Sequence, residues 1–232
     1  MKKYQFIHFA LIIIFSIGTV NAQHILNVKV NEPKADIQPT MWGVFFEDIN
    51  LGADGGIYAE LIKNRSFEFA KPMMGWKVLG KPVTEGDFLV LNRQNTNTAN
   101  PRFLRVTLHN NSKGSIGLTN EGFRGMGIKK DLRYDFSMMY HQLSGNIKMH
   151  IELINEKEEK IGGTQITTVS GNDWKKESIN FTATATELKA KMNIWFEGDG
   201  VIDLDMISLF PEDTWKKRAG GMRADMINCW QI

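Results

Sequence analysis

Between residues 71 and 210, apolar and polar side chains alternate in one short run after another. This period of two constrains the fold more than any other feature of the chain. Leu104, Val106 and Leu108 alternate with Arg105, Thr107 and His109. Tyr134, Phe136, Met138 and Tyr140 share one face, and Ile147, Met149, Ile151 and Leu153 oppose Lys148, His150 and Glu152. Ile179, Phe181 and Ala183 repeat the pattern, as do Leu188, Ala190, Met192, Ile194 and Phe196. Gly, Asn, Asp and Ser separate the runs. Successive side chains of a strand point to opposite faces, so each run reads as a strand with one buried face. Many such strands with turns between them predict a jelly-roll (galactose-binding-like) β-sandwich over 71–210. Trp76, after Met74-Gly75, is expected in its core, and Trp174, after Gly171-Asn172-Asp173, at a turn on the core's edge.

Trp195 falls on the face opposite Leu188, Met192, Ile194 and Phe196, among Lys189, Lys191 and Asn193. An exposed aromatic with polar neighbours is what a sugar-binding surface needs, so Trp195 is the candidate substrate-binding residue of the sandwich. The alternative is that this face packs against other parts of the protein.

The segments around the sandwich have a different character. Val44-Phe45-Phe46 reads as a strand buried on both faces. Asp54-Gly55-Gly56 then breaks the chain, and Ile57, Tyr58, Leu61 and Ile62 recur at helical spacing, with Asp54 as the cap. Residues 23–70 therefore predict a strand plus a βα unit. Residues 211–232 read as helix, with Met222 and Met226 on one face. The order αβ, complete sandwich, helix fits a β-domain inserted into a larger α/β fold.

The chain opens with Lys2 and Lys3, a fifteen-residue apolar run Phe6–Val20, and Val20-Asn21-Ala22. That is the pattern of a secretory leader cleaved after Ala22, with export to the periplasm or outside the cell. The run is shorter than the roughly 20 residues of a spanning helix, so no stable membrane span is expected. The leader holds two of the 28 basic residues and none of the 26 acidic ones, so residues 23–232 are formally neutral. No basic excess remains for nucleic acid. With Cys229 as the only cysteine, the fold must hold without an internal disulfide, and the histidines show no zinc spacing.

Met41-Trp42-Gly43-Val44-Phe45-Phe46-Glu47-Asp48-Ile49-Asn50, followed by Ala53-Asp54-Gly55-Gly56-Ile57-Tyr58-Ala59-Glu60-Leu61-Ile62-Lys63-Asn64-Arg65-Ser66-Phe67-Glu68, resembles the N-terminal signature of glycoside hydrolase family 51, whose members are mostly α-L-arabinofuranosidases. Asn120-Glu121-Gly122-Phe123-Arg124-Gly125-Met126 with Tyr134-Asp135-Phe136-Ser137 is similar to the carbohydrate-binding-module-like domain inserted after that signature, and Asp203 to Pro211 resembles its exit. The resemblance covers nearly all of 38–226. It implies a sandwich inserted into the first βα unit of a (β/α)8 barrel, and a retaining hydrolase acting on arabinose-containing polysaccharide or oligosaccharide.

The same resemblance implies that Glu47 hydrogen-bonds the sugar ring without covalent chemistry, although a carboxylate capping the following loop is the alternative. It also places Glu68 and Asp205 where a structural Ca2+ would sit, with an Arg65–Glu68 ion pair as the alternative. No cofactor is implied for catalysis. A complete barrel takes about 250 residues, whereas 23–70 and 211–232 supply 70. The family's acid/base glutamate follows Gly-Asn. Here Asn31-Glu32, Asn120-Glu121 and Asn155-Glu156 each lack the preceding Gly, so no catalytic residue is assigned. The expectation is an incomplete barrel and a fragment inactive by itself, with a stand-alone carbohydrate-binding sandwich as the alternative.

Overall fold

The computed structural model describes residues 26–32, 34–36, 47–48, 51–80, 87–93 and 99–229. The leader, the strand expected at Val44–Phe46, Asn50 and the last three residues lie outside these. The chain divides into two compact units, Met1–Phe46 and Glu47–Ile232. In the first, residues 29–32 turn, closed by Glu32 N donating to Lys29 O (3.1 Å) and by a Lys29–Glu32 ion pair.

The second unit is mainly β and antiparallel. Its strands are β1 (Trp76–Gly80), β2 (Phe88–Asn92), β3 (Arg102–Asn120), β4 (Met126–Ile128), β5 (Arg133–Ile154), β6 (Lys160–Thr167), β7 (Lys175–Thr182) and β8 (Glu187–Pro211). Every alternating run of the sequence is a strand here. The sequence does not announce that β3, β5 and β8 are so long, with 19, 22 and 25 residues. Each of the three runs through two layers. Layer A is ordered β2-β3-β8-β5-β7, through the pairs Phe88↔Val106, Val106↔Ile202, Phe136↔Leu209 and Phe136↔Ile179. Layer B is ordered β1-β3-β8-β5-β6, through Val78↔Leu118, Leu118↔Ile194, Ile151↔Ile194 and Ile151↔Thr164. β8 is the middle strand of both.

The sheet bends between the layers, where the register slips: between Leu108 and Ile116 in β3 and between Gln142 and Ser144 in β5. Such bulges kink a strand and sharpen its twist. At the bend Gly145 faces Gly200, and both have positive φ (+77° and +126°). A Cβ on Gly145 would lie 1.9 Å from Asp199 O, so the two chains cross too closely for a side chain. Gln142 Nε2 donates to Gly145 O (2.6 Å), satisfying that carbonyl inside the bend.

The inward faces form one core. Leu104, Val106, Phe136, Leu204 and Leu209 come from layer A, and Leu118, Met149, Ile151, Ile194 and Phe196 from layer B, all within 1% of full burial. Phe88 of layer A meets Phe196 of layer B at 6.1 Å between ring centroids, so the layers pack face to face. Trp76 is in this core, as expected, with its Nε1 donating to Asn64 O (3.0 Å). Trp174 is not. It lies outside layer A, edge-on to Phe103 (5.7 Å) and beneath the Arg93 guanidinium (4.7 Å). Leu188 also leaves the expected core face and is 79% exposed, because the β4–β8 register shifts beside it.

The predicted helix from Ile57 is absent. Residues 51–58 form turns, with Ile57 N donating to Gly52 O and Tyr58 N to Ala53 O, and the chain then runs extended along the end of β8. Ala59 N donates to Gly221 O, Leu61 N to Leu209 O, and Ile207 N to Arg65 O. Helical bonding lost because Glu60 is buried (1% exposed) and accepts from Leu209 N (3.0 Å), Ile62 N (2.9 Å) and Ser208 Oγ (2.5 Å). Ile62 and Phe67 then enter the sandwich core at 0% exposure. The predicted C-terminal helix is reduced to a 3-10 turn at Trp215–Lys217 and a short helix α1 (Ala224–Cys229). Met226 is in α1, whereas Met222 pairs with Tyr58 before it begins.

Candidate functional site

The outward face of layer B carries the sequence-predicted Trp195. Its neighbours follow from the register. Gly117, Trp195, His150 and Gln165 form one cross-strand row, and Thr119, Asn193, Glu152 and Gly163 form the next. Glu197 and Lys148 pair one step beyond Trp195. Directly opposed side chains in antiparallel strands sit about 4.5–5.5 Å apart, so these rows make one continuous polar surface around the indole.

Gly117 explains how the indole lies. A Cβ there would meet Trp195 Cε3 at 2.7 Å and Cδ2 at 3.2 Å. The ring therefore leans flat across β3, occupying space that any other residue would fill. Half-buried, it presents a ring at the surface beside hydrogen-bonding groups, the combination expected of a sugar platform.

The charges are paired. His150 Nε2 and Glu197 Oε2 are 2.7 Å apart, and Lys148 Nζ lies 3.3 Å from Glu197 Oε1. The imidazole and ammonium hold the Glu197 carboxyl below the ordinary carboxylate range. Burial pushes the Glu152 carboxyl up, but Lys113 (3.1 Å) and Lys160 (3.3 Å) outweigh it and leave it below that range. Lys113 reaches Glu152 from an excursion of β3: between Asn111↔Gly198 and Ile116↔Phe196, residues 112–115 face Glu197 alone. Since β8 lies between β3 and β5, the Lys113–Glu152 contact spans the outer face of β8.

The other predicted residues are elsewhere. Glu47 is exposed, and its neighbour Asp48 structures the loop by accepting from Ala53 N (2.9 Å). Neither Glu47 nor Trp195 lines the cleft of about 1170 Å³ that opens between Tyr58, Phe69, Phe123 and Arg223. Glu68 Oε1 accepts from Arg102 N (2.6 Å). Asp205 is 1% exposed and accepts from Arg93 Nη2 (2.6 Å), Asn100 Nδ2 (2.8 Å) and its neighbour Met206 N (2.7 Å). A guanidinium and N–H donors fill the space a cation would need, so this donor set does not fit Ca2+. Burial still pushes the Asp205 carboxyl above its ordinary value. Arg65 pairs with Asp54 (3.8 Å) and Glu60 (3.7 Å). Among the described residues no three His, Cys, Asp or Glu side chains are grouped to hold a metal ion.

The Asn-Glu pairs are structural. Buried Asn120 clamps Lys63 through both backbone groups (3.2 and 2.9 Å), while Glu121 pairs with Lys77 at the surface. Asn155 Oδ1 accepts from Lys157 N and Glu159 N within a turn. Sequence reasoning missed Thr119, Glu152 and His150, which join Trp195 only through pairings across 40 to 75 residues of chain.

Fold and face together define a mainly β, antiparallel domain with a tryptophan-bearing polar outer surface. Known proteins narrow that class. The chain is 34% identical over 221 residues to an extracellular exo-α-L-arabinofuranosidase of Streptomyces chartreusis, covering 90% of this chain and 25% of that protein. It is 28% identical over 203 residues to α-L-arabinofuranosidase 1 of Arabidopsis thaliana, covering 82% of this chain and 29% of that one. The solved structure of arabinose-bound MgGH51 α-L-arabinofuranosidase matches 79% of this chain and 31% of that chain, with TM-score 0.66 and 26% identity. No family model matches. The chain is similar to α-L-arabinofuranosidases, the solved MgGH51 enzyme among them, and spans about a quarter to a third of the length of those it matches. No helix of the described residues is long and apolar enough to cross a membrane.

Proposed function

We propose that this chain is the sandwich-bearing part of an exported α-L-arabinofuranosidase that removes terminal arabinofuranosyl residues from plant polysaccharides with retention of configuration. The similarity over 90% of the chain to an extracellular exo-α-L-arabinofuranosidase carries this reading. Retention needs two carboxyl groups about 5–5.5 Å apart, one as acid/base and one as nucleophile. Five of the described carboxylates are engaged otherwise: Glu60, Asp203 and Asp205 are buried in bonds to the fold, and Glu152 and Glu197 are held by lysines and His150. On this reading none of these five carboxylates is the acid/base or the nucleophile. Glu47 contributes hydrogen bonds to the sugar ring, and Trp195 contacts glycan on the sandwich.

The purified 232-residue chain should not hydrolyse an aryl α-L-arabinofuranoside. Turnover that survives Glu47→Gln refutes this account. The Trp195 face also favours a second reading, a sandwich that binds carbohydrate in its own right. Pull-down on insoluble arabinoxylan, lost in Trp195→Ala, supports it.

A further inference from the structure

Two polar atoms on the outward face of layer B have nothing to bond. Thr119 is 4% and Asn193 5% exposed, and among the described residues neither Thr119 Oγ1 nor Asn193 Oδ1 has a hydrogen-bond partner. They are direct cross-strand neighbours, one row from Gly117 and Trp195, with Glu152 next to them in the same row. Folded proteins pair nearly all buried polar atoms, so two adjacent orphans beside an aromatic platform call for a ligand.

We propose that Thr119, Asn193 and Glu152 form, with the Trp195 ring, a binding site for one neutral sugar ring of a pentose polysaccharide. The sugar stacks on the indole, and its hydroxyls donate to Asn193 Oδ1, the Glu152 carboxylate and Thr119 Oγ1. Asn193 Oδ1 and a carboxylate only accept, so a polyhydroxylated ligand suits them and a carboxylate ligand does not. The cations nearest the row are paired in the resting structure, Lys113 and Lys160 with Glu152 and Lys148 with Glu197. Lys113, half-exposed and crossing β8 to reach Glu152, is the cover that the sugar displaces. Its departure leaves Glu152 with Lys160. The pentose rests on the proposed function. The site is separate from Glu47, and its chemistry does not depend on hydrolysis.

Calorimetric titration of the 232-residue chain with soluble arabinoxylan, linear arabinan and unsubstituted xylan tests this. Binding to at least one of the three is expected, and the polymer that binds distinguishes arabinose side chains from a xylose backbone. Trp195→Ala should weaken it at least tenfold, and Trp174→Ala, on layer A, should leave it unchanged. Thr119→Val keeps the side chain's shape and removes the orphan hydroxyl. It should weaken binding about tenfold while raising Tm by about 2–4 °C, because an unpaired buried hydroxyl no longer opposes folding. A merely structural threonine would not show opposite signs. Absence of binding to all three polymers, or binding that Thr119→Val leaves unchanged, overturns the proposal. Turnover of an aryl arabinofuranoside, measured on the same samples, reports on the proposed function separately.

Discussion

Replacing Glu60 tests how the segment before the sandwich is attached to it. The carboxylate is 1% exposed and accepts from Leu209 N, Ile62 N and Ser208 Oγ at 2.5–3.0 Å. Alanine strands three buried donors, each costing about 1–3 kcal/mol, partly offset because a buried charge is removed as well. A net loss of about 3–5 kcal/mol follows, the usual cost of breaking a buried charged network from one side. Glutamine keeps the volume and one acceptor oxygen and should lose about 1–2 kcal/mol. Urea unfolding at pH 7, followed by tryptophan fluorescence, reads both as shifts of the midpoint. Burial also pushes the Glu60 carboxyl above 4.5, against the lowering effect of its three donors and Arg65. A folded-state pKa above the unfolded one contributes stability that is fully present below the unfolded value and lost as pH rises through the folded value. The wild-type advantage over Glu60→Gln should therefore be largest near pH 4 and shrink toward neutrality. An alanine variant within about 1 kcal/mol of wild type, or an advantage that grows with pH, would refute the reasoning.

Gly117→Ala places a methyl 2.7 Å from Trp195 Cε3 and 2.6 Å from Ile194 O. It should cost about 1–3 kcal/mol and change the near-ultraviolet circular dichroism of the indole. Phe196→Ala empties a fully buried site against Phe88 and should cost about 3–5 kcal/mol in urea unfolding. Gly145→Ala, at φ +77° and 1.9 Å from Asp199 O, should yield little soluble protein, since neither strand can move aside without opening the bend. Because Arg93 already faces Asp205, millimolar calcium should leave Tm unchanged. A rise would show that calcium displaces the guanidinium.

The strands were legible because each hides one face, and the outward placement of Trp195 because it interrupts the polar face of such a strand. The helix from Ile57 was misread because Ile57, Tyr58, Leu61 and Ile62 match helical spacing by residue type alone. What decides that segment is the Glu60 carboxylate meeting Leu209 N and Ser208, almost 150 residues away, and no local pattern holds that information. The bend was hidden for a related reason. Gly145 and Gly200 look like ordinary turn glycines until β5 and β8 are laid side by side. Thr119, Asn193 and Glu152 are three unremarkable polar residues on three strands, and become a row only through the register.

β8 is the last of the described strands in chain order, yet it separates β3 from β5 throughout both layers. β3 and β5 have no edge to share until it arrives. A ribosome adding about 5–20 residues per second thus spends several seconds extending a chain whose two longest earlier strands keep their apolar faces uncovered. Residues 187–211 complete both layers, since they pair with β3 and β5 in each. Without β8 the strands fall into two separate sets, β1 and β2 on β3, and β6 and β7 on β5, and it is residues 187–211 that make them one sheet.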